Sequence, residues 1–272
     1  MNQDYKQFID ELTQEEGFTI NEAHEYIANN LSFTNYVYNL DCYKHIDKIK
    51  QDYIIVTDPP FNVGYAYNEY KDKKPEDEFY KDLANLIRDK QAVVIMYPEM
   101  LHKLSIKLGY APEKVIAWVY NSHTAKEHRD ICFYNIKPDM SQVKQPYKNP
   151  TDKRVKSMIE KGSQGTNIYD WWHIEQVKNV CVDKYEHPCQ MPYKVMDYII
   201  RLLPNKTILD PFAGSGTTLL AAKQNGRKYI GFEIDKKYIE IINDRLNGIM
   251  PNGQITLELI KWIELLKTLT IH

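Results

Sequence analysis

The sequence has little cysteine and no long apolar run. Its four cysteines are scattered, and no two of them form a Cys-x-x-Cys pair, which is the spacing typical of structural zinc and redox sites. We therefore expect reduced thiols in a cytosolic protein without a metal site. No apolar stretch approaches the roughly 20 residues that a membrane-spanning helix needs, and no secretory signal pattern opens the chain, so we expect no membrane association.

The sequence also lacks an excess of charge of either sign. The net charge of the 272 residues is -2, so any basic face for a nucleic acid must be local. Residues 138–161 carry six basic side chains against three acidic ones, a local charge of +3. The basic residues are Lys144, Lys148, Lys153, Arg154, Lys156 and Lys161. Such a run is commonly a solvated loop, but its insertion between a predicted sheet edge and a predicted ligand loop favours contact with phosphates and bases.

The most informative stretch, residues 207–235, predicts a β–loop–α–β unit. Its parts are a buried strand at 207–209, a glycine-containing loop at 213–216, a helix at 217–225 and a second strand at 229–232. The glycines permit a sharp turn and the close approach of a ligand, and the loop amides with the helix N-terminus favour an anionic group. Glu233, after the second strand, is placed to accept hydrogen bonds from ribose hydroxyls. An ordinary tight turn is the alternative. The short loop suits a nucleoside with a small carboxylate, such as S-adenosylmethionine, better than a dinucleotide.

A second strand end carries polar and aromatic residues. The apolar strand 53–57 is followed by Asp58-Pro59-Pro60-Phe61, and prolines cannot continue a central strand. Asp58 is therefore expected at the carboxyl edge of the sheet, where open α/β sheets place their ligands. Phe61 at that edge indicates a site for a flat ring, although a plain strand-terminating turn would have the same sequence.

Alternating apolar strands and amphipathic helices predict an α/β fold with a doubly wound, mostly parallel sheet and helices on both faces. Strand 131–136 is expected to pair with strand 115–120 across a polar loop at 121–130, giving an antiparallel edge. Residues 68–78 read as a charged loop, and the spacing of apolar residues predicts helices at 79–89 and 98–108. Residues 1–30 predict one or two helices, and 256–269 predict another.

At this point the sequence resembles a known family, the amino-methyltransferases of DNA, which methylate adenine N6 or cytosine N4 with S-adenosylmethionine. Asp58-Pro59-Pro60-Phe61 resembles the family's catalytic tetrapeptide, and residues 210–218 resemble its cofactor loop. The catalytic motif comes first, with a candidate recognition region between the two, which is typical of the β group. The resemblance implies a Rossmann-like architecture with a catalytic half (31–137), a target-recognition insert (138–186) and a cofactor-binding half (187–272). Residues 1–30 lie outside the resemblance and are predicted as an N-terminal helical extension.

The resemblance also implies roles for individual residues. The expected catalytic residues are Asp58, Pro59, Pro60 and Phe61. The expected cofactor-binding residues are Asp41, Asp210, Phe212, Gly214, Ser215, Gly216, Thr217 and Glu233. A helix N-cap is an equally good interpretation of Asp41, and His187 and Gln190 are further candidates for the cofactor site.

The implied activity is site-specific methylation of double-stranded DNA at the N6 amine of a flipped-out adenine. An aspartate at the first tetrapeptide position goes mostly with adenine in this family, whereas serine is commoner for cytosine N4. Cytosine-N4 methylation, a catalytically silent DNA-binding module, and a methyltransferase acting on RNA or protein are the alternatives. The resemblance leaves open a homodimer and a cognate endonuclease in a restriction-modification pair, and it implies a cytoplasmic location in a bacterial or phage-infected cell.

Overall fold

The computed structural model describes residues 3–14, 16–30, 33–65, 72–122, 126–181 and 183–253. The strands in this part of the chain are β1 (Tyr36–Tyr38), β2 (Tyr53–Thr57), β3 (Ala92–Met96), β4 (Lys114–Val119), β5 (His128–Tyr134), β6 (Lys144–Gln145), β7 (Thr166–Asn167), β8 (Trp171–His173), β9 (Thr207–Asp210) and β10 (Tyr229–Phe232). The helices there are α1 (Gln3–Gln14), α2 (Ile20–Asn30), α3 (Cys42–His45), α4 (Glu76–Ile87), α5 (Pro98–Leu108), α6 (Lys153–Glu160), α7 (Tyr193–Leu202), α8 (Thr217–Gln224) and α9 (Lys236–Leu246). The predicted helix at 256–269 lies outside the described residues.

Eight strands form one sheet in the order β1-β10-β9-β2-β3-β5-β4-β8. Only β5 is antiparallel to its neighbours among these eight, which confirms the mostly parallel sheet. The predicted pairing of 131–136 with 115–120 is confirmed as antiparallel, but its expected position at an edge is wrong, because β5 lies inside the sheet between β3 and β4. The expected loop at 121–130 is also too long. Arg129 and Asp130 pair with Trp118 and Ala117 of β4, so two charged residues belong to a strand.

Helices cover both faces of the sheet, as predicted. Along β2, Ile54 and Val56 pack on one face with buried side chains of α7, α8 and α9. Ile55 packs on the other face with side chains of α1, α2, α4 and α5. This alternation follows from the period of two along a strand, and it is why β2 reads as a continuous apolar run. Among the described residues, no helix is long and apolar enough to cross a membrane.

Residues 138–186 are partly integrated into the main sheet. β6 and β7 form a separate antiparallel pair, and α6 lies between them in the chain. β8 adds to the edge of the large sheet as a parallel partner of β4, and Trp172 of β8 is buried in the core. The sequence did not predict β8. The predicted division of the chain into two halves and an insert stays a prediction.

Candidate active site

Four strands end at one edge of the sheet and carry the predicted site residues. β1, β10, β9 and β2 are adjacent and parallel, so their carboxyl ends meet. A cavity of about 320 Å³ opens there. Eleven of the twelve predicted site residues line it: Asp41, Asp58, Pro59, Pro60, Phe61, Asp210, Phe212, Gly214, Ser215, Thr217 and Glu233. The two motifs, about 150 residues apart in the chain, therefore share one cavity.

Gly216 is the predicted site residue that does not line the cavity. Its φ is +76°, and a Cβ there would lie 2.9 Å from the Cγ1 atom of Ile242. A Cβ at Gly214, where φ is +52°, would lie 3.0 Å from Nε2 of His187. The loop therefore needs its glycines for left-handed backbone, as a sharp turn requires, and for close packing against protein side chains. The predicted approach of a ligand to Gly214, which lines the cavity, stays a prediction.

Arg245 of α9 holds the loop from the protein side. Its Nη1 donates to the carbonyl oxygen of Ser215 at 2.6 Å, to Ser215 Oγ at 3.0 Å and to Thr217 Oγ1 at 2.8 Å. Burial lowers the pKa of Arg245 to about 10, so the guanidinium is charged at neutral pH. Thr217 Oγ1 also donates to the carbonyl oxygen of Met191 at 3.2 Å. The loop shape is thus fixed by hydrogen bonds inside the protein.

Glu233 presents a buried carboxyl group at the end of β10. Its Oε2 accepts from the Gly214 amide at 2.8 Å, and its Oε1 accepts from the Asp235 amide at 2.9 Å. Burial raises the pKa of Glu233 to about 7. Because a carboxylate has about four acceptor positions, two remain for hydroxyl groups of a ligand.

Asp58 forms an ion pair that the sequence did not predict. Arg129 Nη1 donates to its Oδ2 at 3.1 Å and to its Oδ1 at 3.3 Å. Burial raises the pKa of Asp58 to about 6, and the charge of Arg129 opposes that rise. No local signal for this pair is present in the sequence, because Arg129 falls in the stretch predicted as a loop and lies 71 residues from Asp58.

The remaining candidates divide into lining residues and supporting residues. Asp41 is both: it caps α3 by accepting from the Tyr43 amide at 3.1 Å, and it lines the cavity. Asp210 accepts from Thr57 Oγ1 at 2.9 Å, and burial raises its pKa to about 6. His187 lines the cavity.

Gln190 does not line the cavity and instead ties a loop together. Its side chain accepts from the Tyr185 amide at 2.9 Å and donates to the carbonyl oxygen of Asp183 at 2.8 Å. These two bonds fix the chain segment that leads to His187.

The arrangement has two chemically different ends. At one end the buried acid Glu233 and backbone amides of the loop lie beside an apolar wall, which suits a nucleoside carrying a carboxylate. The wall is formed by Phe212, Ile234 and Tyr238. At the other end Asp58, the prolines and Phe61 offer acceptors beside an aromatic face, which suits a flat base with an amino group.

Comparisons with known proteins agree with this geometry. A family model described as DNA methylase matches residues 53–244. The type II methyltransferase M.ScaI of Streptomyces caespitosus is 32% identical over 230 residues, which cover 72% of this chain and 75% of the relative. The DNA adenine methyltransferase YhdJ of Escherichia coli K12 is 29% identical over 227 residues, which cover 71% of this chain and 76% of the relative.

A solved structure shares the fold. The PvuII DNA methyltransferase, described as cytosine-N4-specific, superposes with a TM-score of 0.54 at 17% identity and covers 82% of this chain and 94% of that chain. The family match spans most of the sheet and both motifs. The chain therefore belongs to the N6/N4 DNA methylase family, the S-adenosylmethionine-dependent enzymes that methylate an amino group of a base in DNA.

Proposed function

We propose that this chain is a site-specific DNA methyltransferase acting on the N6 amine of adenine. The observation that carries the proposal is the aspartate at position 58, which lies in the same cavity as the cofactor loop. In this family an aspartate at that position goes mostly with adenine. The relative YhdJ, named as a DNA adenine methyltransferase, supports the same choice.

The cofactor end of the cavity fits S-adenosylmethionine by its donor set. We propose that the two open acceptor positions of Glu233 bind the ribose hydroxyls. The Gly214 amide already donates to Glu233, so the amides of Ser215 and Thr217 face the amino acid carboxylate, and Phe212 and Asp41 contact the adenine ring and its amine. When bound, S-adenosylmethionine supplies an electrophilic methyl carbon, and S-adenosylhomocysteine is released.

The catalytic end then acts by positioning. An adenine amine is a poor nucleophile, because its lone pair is delocalised into the ring. Asp58 accepts one N–H and the carbonyl oxygen of Pro59 accepts the other, so the lone pair is aimed at the methyl carbon. Phe61 stacks on the base, which must leave the duplex since its amine is paired there. No covalent enzyme nucleophile is required, and the proton that the methylated amine loses passes to solvent.

Duplex DNA is proposed to contact the basic part of residues 138–186. The six basic side chains of 138–161 are all exposed, and Trp171 is 50% exposed. Its ring stacks on Tyr169 at 6.3 Å between centroids, and Lys148 Nζ lies 5.2 Å from the centroid of the Tyr169 ring. A cation beside an aromatic pair of which Trp171 is exposed suits a phosphate backbone next to a base. A homodimer and a cognate restriction endonuclease remain predictions from the resemblance, and sedimentation of the purified chain tests the first.

Cytosine-N4 methylation is the second candidate, because the structurally similar PvuII enzyme is described as cytosine-N4-specific. Mass spectrometry of nucleosides separates the two, using unmethylated DNA incubated with the protein and S-adenosylmethionine. We expect N6-methyladenine. N4-methylcytosine would keep the cavity assignments and overturn the base assignment. If neither methylated nucleoside forms while the cofactor still binds, the remaining candidates are a catalytically silent DNA-binding module and a methyltransferase that acts on another substrate.

The role of Asp58 has its own test. We expect Asp58→Ala and the isosteric Asp58→Asn to lose methyl transfer by at least about 100-fold, as expected when a group that acts on the transition state is removed. Their cofactor affinity, measured by calorimetry, stays near that of the parent because Asp58 contacts the base. Turnover equal to that of the parent in either variant would contradict the role of Asp58 in methyl transfer.

A further inference from the structure

The mechanism above does not use Arg129, although this side chain contacts the catalytic tetrapeptide. Arg129 is the second residue of β5 and is 7% exposed. Its Nη1 lies 3.1 Å and 3.3 Å from the two carboxylate oxygens of Asp58 and 3.5 Å from Sδ of Met191. A buried guanidinium at these distances is a strong and directional partner for a carboxylate.

The same guanidinium lies among aromatic rings. Its central carbon is 4.8 Å from the centroid of Phe61, 5.3 Å from that of Tyr97 and 5.5 Å from that of Trp118. These distances are within the range of cation–π attraction, which is strengthened when the cation is shielded from water. The Phe61 and Tyr97 rings are 4.9 Å apart. Arg129 therefore contacts the first and the last residue of the tetrapeptide at once.

We propose that Arg129 is a positioning residue for methyl transfer, which keeps Asp58 ionised and aimed into the cavity and holds the Phe61 ring in place for the base. The inference rests on the proposed function, because Asp58 and Phe61 take their roles from it. Arg129 itself acts through these two residues and touches no reacting atom.

The ionised form of Asp58 is the form that the mechanism needs. An amine N–H donates to a carboxylate, whereas a protonated carboxyl would present a donor of its own. Of about four acceptor positions on the carboxylate, Arg129 uses one on each oxygen, and two remain for the base. The guanidinium can thus stay in place during the reaction.

The other charged and titratable groups around Asp58 do not substitute for Arg129. Burial disfavours the Asp58 charge, and the carboxyl group of Asp210 at the end of β9 is close enough for mutual repulsion. Tyr97 and Tyr120, after β3 and β4, interact electrostatically with Arg129 itself. Lys74 lines the same cavity and is bound to Asp82 at 2.8 Å. Loss of the Arg129 charge is therefore expected to raise the pKa of Asp58.

The test is the pH profile of a single turnover at saturating S-adenosylmethionine, which reports the chemical step without cofactor binding or product release. An opposite charge at hydrogen-bond distance lowers the pKa of a carboxyl by about 1–3 units, so Arg129→Met moves the acid limb of the rate from near 6 to about 8. The rate at pH 7 then falls about tenfold and returns to within about twofold of the parent at pH 9. Arg129→Lys, which keeps the charge, should restore the limb toward the parent position.

The matched control is Arg201→Met, the same change at an exposed arginine of α7 that binds Asp197; its profile should equal that of the parent. Should Arg129→Met fail to fold, Arg129→Gln removes the charge and keeps a donor for Asp58. Titration of Asp58 by carboxyl ¹³C NMR, assigned with Asp58→Asn, gives a readout independent of activity. The carboxyl signal should titrate at higher pH in the Arg129 variant.

Several outcomes would overturn the proposal. An unchanged acid limb, or a loss of rate that is equal at every pH, would reduce Arg129 to a packing role. A faster variant would mean that the ion pair restrains Asp58 instead of preparing it. Absence of methylation by the parent protein would overturn the proposed function itself, and the NMR titration would still decide whether Arg129 controls Asp58.

Discussion

At the scale of single residues, the two ends of the cavity differ in what their buried acids receive. Glu233 receives two backbone amides, whereas Asp58 receives a charged guanidinium. Burial raises the pKa of both, to about 7 for Glu233 and about 6 for Asp58. In both residues burial outweighs the groups that donate to the carboxylate, and the higher pKa of Glu233 follows from the higher ordinary pKa of a glutamate and from repulsion by Asp235. Glu233 therefore titrates close to neutral pH.

This difference predicts a pH dependence of cofactor binding. Ribose hydroxyls are expected to donate to the ionised form of Glu233, which is present above a pKa of about 7 and is lost as the pH falls through it. A ligand that binds only that form loses about tenfold in affinity between pH 8 and pH 6. Isothermal calorimetry with S-adenosylmethionine measures this loss. Glu233→Gln should bind more weakly and show a flat profile.

The control for this experiment is Asp58→Asn, which removes another acid of the same cavity whose pKa is raised. If the loss of affinity persists in that variant and disappears in Glu233→Gln, Glu233 is its source. A flat profile in the parent protein would contradict the assignment of Glu233 to the ribose.

At the scale of elements, β9, α8 and β10 form a tightly packed unit in which one glycine has a steric role. A Cβ at Gly231 of β10 would lie 2.6 Å from Cδ1 of Leu219 of α8 and 3.3 Å from Cγ1 of Val37 of β1. Leu219 is fully buried. Gly231 therefore sets how closely α8 approaches the sheet, and with it the position of the loop that leads into α8.

We expect Gly231→Ala to destabilise the fold by about 1–3 kcal/mol through overpacking. Leu219→Ala alone also destabilises, by leaving a cavity. The double variant should lose less than the sum of the two, because the smaller side chain makes room for the new methyl group. Urea unfolding of the four proteins measures the coupling. The matched control is Leu220→Ala, on the same helix but only partly buried. Its effect on the free energy of unfolding should add to that of Gly231→Ala. If the effects of Leu219→Ala and Gly231→Ala also add, Gly231 does not have this steric role.

The elements that the sequence predicted well are those with strong periodicity and clear ends. The helix at 98–108 was predicted with its observed ends, since a proline starts it and Gly109 follows it. α4 begins three residues earlier than expected. Its first turn holds three acidic residues, which read as a charged loop but suit a helix N-terminus.

The site was predictable only where residues adjoin strand ends. Asp58 and Glu233 could be placed because each follows an apolar strand. Arg129 and Arg245 could not, because their partners lie 71 and 30 residues away in the chain. Which strands pair, and hence which side chains meet, depends on tertiary packing that no local pattern contains.

At the scale of the whole molecule, charge is distributed unevenly. The net charge is -2, yet residues 138–161 carry +3 with all six basic side chains exposed. A DNA phosphate backbone would meet a favourable field there while the rest of the surface is close to neutral or acidic. Binding through such a face is expected to depend steeply on salt.

We expect the triple variant Lys153→Gln, Arg154→Gln and Lys156→Gln on α6 to weaken duplex binding and flatten its salt dependence. Each phosphate contact that is lost reduces the slope of log K against log salt by about 0.9. Fluorescence anisotropy over a salt series measures the slope. The matched control removes equal charge by changing Lys50, Lys81 and Lys228 to glutamine. Lys50 and Lys228 precede β2 and β10, so they lie at the amino ends of these strands, opposite the edge that carries the cavity. Equal effects of the two triples would mean that the DNA does not use α6.

The direction of one strand decides how firmly the active site is anchored. Parallel strands bring to their carboxyl edge their last residues and the residues that follow, and Asp58 and Glu233 lie on the segments that follow β2 and β10. β5 runs the opposite way and arrives at that edge with its opening residues, which are paired to β4 at Trp118 and Ala117. Asp58 is thus carried by a connecting segment, whereas Arg129 is held within the hydrogen-bonded strands of the sheet. If the segment that carries Asp58 rearranges when a base enters, it does so around the guanidinium of Arg129, which keeps its position in the sheet.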